Sequence, residues 1–118
     1  MKLQKGTYTA ADFNINTGVW SVQYFECVKI NGIIILNAAL LCPGILDANT
    51  EYVVTTAPVQ DALKPKRATR IMGNACNANF GNTVSINIFF DNSRNLRINS
   101  PSGENKYIAF SAVYEALV

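Results

Sequence analysis

The sequence contains no histidine. That removes the Ser-His-Asp and Cys-His nucleophile arrangements, the commonest general base and most catalytic zinc sites. Charge is scarce as well: 15% of the 118 residues are Asp, Glu, Lys or Arg, against roughly 25% in an ordinary globular chain. A net charge of +2 is too weak a balance to argue for nucleic acid. Cysteine is confined to positions 27, 42 and 76, an odd number without metal-like spacing, which argues against a disulfide framework and a zinc cluster. Cys27 and Cys76 lie in apolar or small-residue runs, where a free thiol packs as a small hydrophobe. Such thiols fit a chain made in a reducing cytoplasm. No apolar run follows Met1-Lys2 as a secretion signal would require. The longest apolar stretch, residues 33–36 and then 38–42, is too short and too broken to cross a membrane.

Other chemistry is missing too. No Gly-rich phosphate loop follows a strand and opens a helix. The carboxylates Asp12, Glu26, Asp47, Glu51, Asp61, Asp91, Glu104 and Glu115 are scattered, and no two stand out as a glycosidase pair. No EF-hand spacing appears. These absences predict a protein that is not an enzyme, with no cofactor and no metal. The basic cluster Lys64, Lys66, Arg67 and Arg70 reads as a solvated loop, with phosphate binding as the sharper alternative.

What the chain does have is apolar material and asparagine. The hydrophobic fraction of 49% is enough for one core at this length, so residues 1–118 are expected to form a single domain. Asparagine occurs 14 times. Neutral amides donate and accept at once, so they suit tight turns and polyhydroxylated ligands alike.

Asn31-Gly32 is a two-residue hairpin signal, because both residues tolerate positive φ. Before it, Trp20, Val22, Tyr24, Val28 and Ile30 alternate with Ser21, Gln23 and Lys29, with a bulge expected near Phe25-Glu26. After it, residues 33–41 are apolar on both faces. One face is expected to meet the core and the other to need a partner. Residues 51–56 and 70–78 read as further strands, and residues 58–65 as a loop with one turn at 60–63. Val84, Ile86, Ile88 and Phe90 alternate strictly with Thr83, Ser85 and Asn87, whereas Phe89 breaks the polar face. Leu96 and Ile98 follow a turn at 91–94. Residues 107–117 satisfy either period; the neighbouring hairpins and the lack of a nearby N-cap favour strand. The whole pattern predicts an all-β antiparallel β-sandwich, jelly-roll-like.

Lys29-Ile30-Asn31-Gly32-Ile33-Ile34-Ile35-Leu36-Asn37 is followed by Leu63-Lys64-Pro65 and then by Thr83-Val84-Ser85-Ile86-Asn87-Ile88 with Asn95-Leu96-Arg97-Ile98. Tyr107-Ile108-Ala109-Phe110-Ser111-Ala112-Val113-Tyr114 closes the series. In this order, from Lys29 onward, the sequence resembles the C-terminal head domains of bacteriophage tail-fibre and baseplate receptor-binding proteins. One departure is visible: the turn between the paired strands usually carries a glycine, and here it reads Asp91-Asn92-Ser93-Arg94-Asn95. The resemblance implies a homotrimer at the tip of a fibre in the virion, attached to other fibre or baseplate proteins. It also implies a bacterial surface saccharide or protein as partner, with no nucleic acid and no membrane insertion.

Sugar sites pair an aromatic face with amides and charged groups. Two loops have that composition, which gives Asn77, Asn79, Phe80, Asn82, Asn92 and Arg94 as candidate ligand-binding residues. The same residue types suit hairpin tips, and both readings stand at this point. The competing functions are a structural virion protein, capsid-decorating or fibre-assembling, and a bacterial carbohydrate-binding or adhesin module.

Overall fold

The computed structural model describes residues 4–41, 50–77, 81, 83–100 and 107–118. The described residues form nine strands: β1 Lys5–Tyr8, β2 Ser21–Ile30, β3 Ile33–Leu41, β4 Thr50–Val53, β5 Thr69–Cys76, β6 Val84–Ser85, β7 Asn87–Phe90, β8 Leu96–Ser100 and β9 Tyr107–Glu115. All pairings are antiparallel, and the described residues include no helix. The all-β antiparallel reading therefore holds.

The strands form one curled sheet in the order β1-β2-β3-β9-β5-β7-β8-β4, with β6 also on β5. The curl turns at β5. Its residues Met72 to Cys76 pair with β9, while Thr69 to Ile71 have left β9 and pair with β7. Gly73 lies at this corner, and a Cβ there would run into the Ile88 side chain. The corner thus needs a residue without a side chain.

Curling brings the two halves of the sheet face to face over one core. Ile34, Leu36, Ala38 and Leu40 of β3 enter it from one side, with Ile108, Phe110, Ala112 and Tyr114 of β9 beside them. Ile88, Phe90, Leu96 and Ile98 enter from the β7–β8 half, and the Phe90 and Tyr114 rings meet edge-on at 5.4 Å. The segment before β2 stitches the two ends of the sheet together. The Asn16 N–H donates to the Val54 carbonyl (2.8 Å), the Thr56 N–H donates to the Asn14 carbonyl (2.8 Å), and Trp20 meets Tyr52 edge-on. Trp20 is a core anchor, 2% exposed.

Local chemistry explains the elements. Asn31 and Gly32 both take positive φ, 48° and 84°, as the type I′ hairpin requires. The 107–117 segment is a strand, with β3 on one side and β5 on the other, so its period of two prevails over the helical alternative. The loop at 60–63 makes one turn, the Leu63 N–H donating to the Gln60 carbonyl at 2.9 Å. It is pinned from the core by the Tyr114 hydroxyl, which donates to the Leu63 carbonyl at 2.7 Å. Burial, with Cys27 adjoining, pushes the Tyr114 phenol well above its usual range.

One sequence expectation needs correction. The bulge in β2 is at Gln23: Val22 pairs with Leu40 and Tyr24 with the very next residue, Ala39. Trp20 and Val22 therefore face the core with Phe25 and Cys27, whereas Tyr24, Glu26, Val28 and Ile30 lie on the outer face. In the 91–95 turn, which lacks the usual glycine, the positive φ of 64° is taken by Arg94. The Asp91 carboxylate holds that turn, accepting from the Ser93 and Asn95 N–H groups at 2.9 Å each. In the basic cluster, three of the four side chains have separate partners. Lys64 pairs with Asp61, Lys66 pairs with Glu115, and Arg70 donates to Asn87.

Candidate functional site

The outer face of the sheet is ordered in rows that run across the strands. Val28, Ile35 and Val113 form one row; Ile30, Ile33 and Glu115 form the next. These are the outward residues of the doubly apolar strand and its neighbours. Ile33 is 39% exposed, Ile35 45% and Val113 69%. A third row is mostly polar: Glu26, Asn37, Ser111 and, on β5, Met72. The fourth runs Tyr24, Ala39, Ala109, Asn74 and Ser85.

The fourth row makes the site. Two alanines occupy its middle, so the sheet is low there. Tyr24, 43% exposed, stands on one side, and Asn74 and the exposed Ser85 stand on the other. With Asn37, Ser111 and the β5 corner they border a groove of about 460 Å³. The lining carries neither an acid nor a base. The Ser111 hydroxyl makes a long hydrogen bond, 3.5 Å, to the Asn37 side-chain carbonyl. An aromatic ring beside neutral amides and hydroxyls suits a polyhydroxylated ligand, since each polar group both donates and accepts.

The bulge sets this up. With Gln23 in an uninterrupted ladder, Tyr24 would share the inward face of Trp20 and Val22. The extra residue turns it outward over Ala39.

The residues singled out from sequence lie elsewhere. Asn77 follows β5, and its side-chain carbonyl accepts from the Gly81 N–H at 2.9 Å. Asn92 is exposed at the tip of the β7–β8 turn. The Arg94 guanidinium donates to the backbone carbonyls of Pro65 (3.1 Å), Asp91 (3.2 Å) and Asn92 (3.0 Å). Asn79, Phe80 and Asn82 lie outside the described residues. The 91–95 turn adjoins the Thr69 end of β5, while Asn77 adjoins its Cys76 end. The strand between them is roughly 25 Å long at about 3.3 Å per residue, so Asn77 is not brought together with Asn92 and Arg94. Tyr24, Asn37, Asn74, Ser85 and Ser111 were not singled out from sequence. They are distant in the chain, and only the bulge position reveals that Tyr24 faces outward.

Asp91 and Cys27 also have shifted proton affinities. Burial alone would push the Asp91 carboxyl up. Its bond to Arg97, the Asn95 and Ser93 N–H groups and the Arg97 charge outweigh this and hold it below the usual range. Arg97 also pairs with Glu51 at 3.1 Å. Burial, reinforced by the Asp12 charge, pushes the Cys27 thiol up to about 12, so it stays protonated and packs as an apolar group. Among the described residues no group of three or more His, Cys, Asp or Glu side chains is arranged to hold a metal ion.

No family model matches the chain, and no curated protein matches it. Among solved structures it is similar to the reovirus attachment protein sigma1 in complex with alpha-2,3-sialyllactose. The TM-score is 0.38 and the sequence identity 13%, over 98% of this chain and 67% of that one.

Proposed function

We propose that this chain is a non-enzymatic receptor-binding head, the tip of a bacteriophage tail fibre or baseplate protein in the virion, which grips a bacterial surface glycan in the Tyr24 groove. The observation that carries the reading is the groove itself: an exposed aromatic ring bordering the same groove as amide and hydroxyl groups, with the small Ala109 among its lining. A sugar ring stacks its C–H face on the tyrosine while its hydroxyls bond to Asn37, Asn74, Ser85 and Ser111. The outward apolar rows on β2, β3 and β9 support a homotrimer in which copies cover one another there. Three grooves on one particle then bind through avidity, so each one works even when individually weak.

The test is binding of the labelled protein to a panel of bacterial cells, before and after periodate oxidation of their surface sugars. Binding that periodate removes, and that Tyr24→Ala weakens about tenfold or more, supports the proposal. Binding that survives periodate, or a Tyr24→Ala protein that binds like the parent, overturns the glycan groove. Tyr24 lies outside the core, so the variant keeps its fold.

A further inference from the structure

The polar face does not stop at β5. The register that pairs Asn74 with Ser85 and Ile71 with Ile88 is continuous, and the Ile86 N–H donates to the Gly73 carbonyl at 3.3 Å between them. Arg70 and Asn87 are therefore on the same outer face as Asn74 and Ser85. Asn87 stands two residues from Ser85, about 7 Å along the strand. There a second groove of about 420 Å³ opens, lined by Thr69, Arg70, Asn87, Phe89 and Asn99 among others.

Its chemistry differs from that of the first groove by one charge. Phe89, half-buried, lies opposite Arg70 on one side and Arg97 on the other. Asn87 and Asn99 are cross-strand partners, so their side chains share this face. Arg97 is committed, with Asp91 and Glu51 both paired to it. Arg70 is exposed, donates one hydrogen bond to the Asn87 side-chain carbonyl at 3.2 Å, and has no carboxylate paired to it among the described residues. A guanidinium with most of its planar donor edge unspent matches the two oxygens of a carboxylate.

We infer that this second groove is an acidic subsite: Arg70 receives the carboxylate of a uronic-acid-type sugar in the same glycan whose neutral residues occupy the Tyr24 groove. The amides of Asn87 and Asn99 bond to that sugar's hydroxyls, and Phe89 supplies the apolar floor. The inference rests on the glycan reading above and narrows it from any polyhydroxylated ligand to an acidic polysaccharide. It also gives the half-buried Phe89, which broke the polar alternation of its strand, a role on the outer face.

The experiment compares a panel of uronic-acid-containing bacterial capsular polysaccharides with their carboxyl-reduced forms, which keep every other group. Binding is measured to the parent protein, to Arg70→Gln and to Tyr24→Ala. The expected result is a preference of about tenfold or more for the acidic form, the difference one charge-assisted bond makes. That preference should shrink in high salt and vanish in Arg70→Gln. Tyr24→Ala should weaken both forms. Equal binding of acidic and reduced forms, or an acidic preference that survives Arg70→Gln, overturns the subsite and leaves the Tyr24 groove standing. Binding to neither form anywhere in the panel overturns the glycan reading and this inference with it.

Discussion

Gly73 sits where the sheet turns, with the Ala109 carbonyl oxygen and the Phe110 Cβ each 3.0 Å from the place a Cβ would take. The Ile88 side chain lies nearer still, and none of the three belongs to a flexible surface group. Gly73→Ala is therefore expected to destabilise the fold by about 1–3 kcal/mol, the usual cost of an overpacked interior. In urea the midpoint should fall with an unchanged slope; an unchanged midpoint would mean the corner yields freely. Nothing in the local sequence around Gly73 distinguishes it from a weak point in a strand, because the atoms that forbid its side chain come from distant β7 and β9. Arg94 teaches the same lesson in reverse. As an isolated symbol in a polar turn it has the composition of a ligand group. Its guanidinium nevertheless holds the carbonyl of Pro65, 29 residues away, and two carbonyls of its own turn. Residue type was legible at both positions; the long-range partner that decides its role was not.

At the scale of the strand, alternation carried most of the fold correctly. β3, β7, β8 and β9 bury the residues their period of two assigns to the core, and the Asn31-Gly32 turn joins β2 to β3 as its backbone preferences dictate. Alternation failed where a single extra residue intervened, and the candidate groove is built on that failure. Removing Gln23 is expected to leave Trp20 and Val22 inside and Tyr24 outside, because the straightened ladder keeps the phase of both halves. The cost should stay within about 1 kcal/mol, as for other changes away from the core. Removing Asn37 is a different matter. β3 is paired on both sides without irregularity at that point, so one end of the strand must flip its core residues outward. Chemical denaturation with far-UV circular dichroism should show cooperative unfolding in the first variant and none in the second. Loss of cooperative folding on removal of Gln23 would contradict the bulge.

For the whole molecule, the outward apolar rows make an oligomer the natural expectation. Light scattering on a size-exclusion column should give about three times 12.9 kDa for the parent. Ile35→Glu with Val113→Glu should give a folded monomer, since both side chains point away from the core and charge at the centre of an apolar contact is costly. A monomeric parent would remove the trimer and leave the grooves to act alone. The sequence made the doubly apolar strand legible but not the continuity of its neighbours, which depends on Val28 and Val113 aligning across three strands.

The placement of β9 has a consequence of another kind. The last of the nine strands to leave the ribosome lies in the middle of the sheet, between β3 and β5, which are themselves separated by 27 residues of intervening chain. Until β9 arrives, β3 has one bare edge, β5 has another, and the core lacks Ile108, Phe110 and Tyr114. Such an order of assembly holds back native folding until β9 has been made, in the millisecond-to-second range typical of non-local β pairing. It also means that a chain terminated before Tyr107 cannot imitate the finished one. Only copies that extend through β9 can close the sheet.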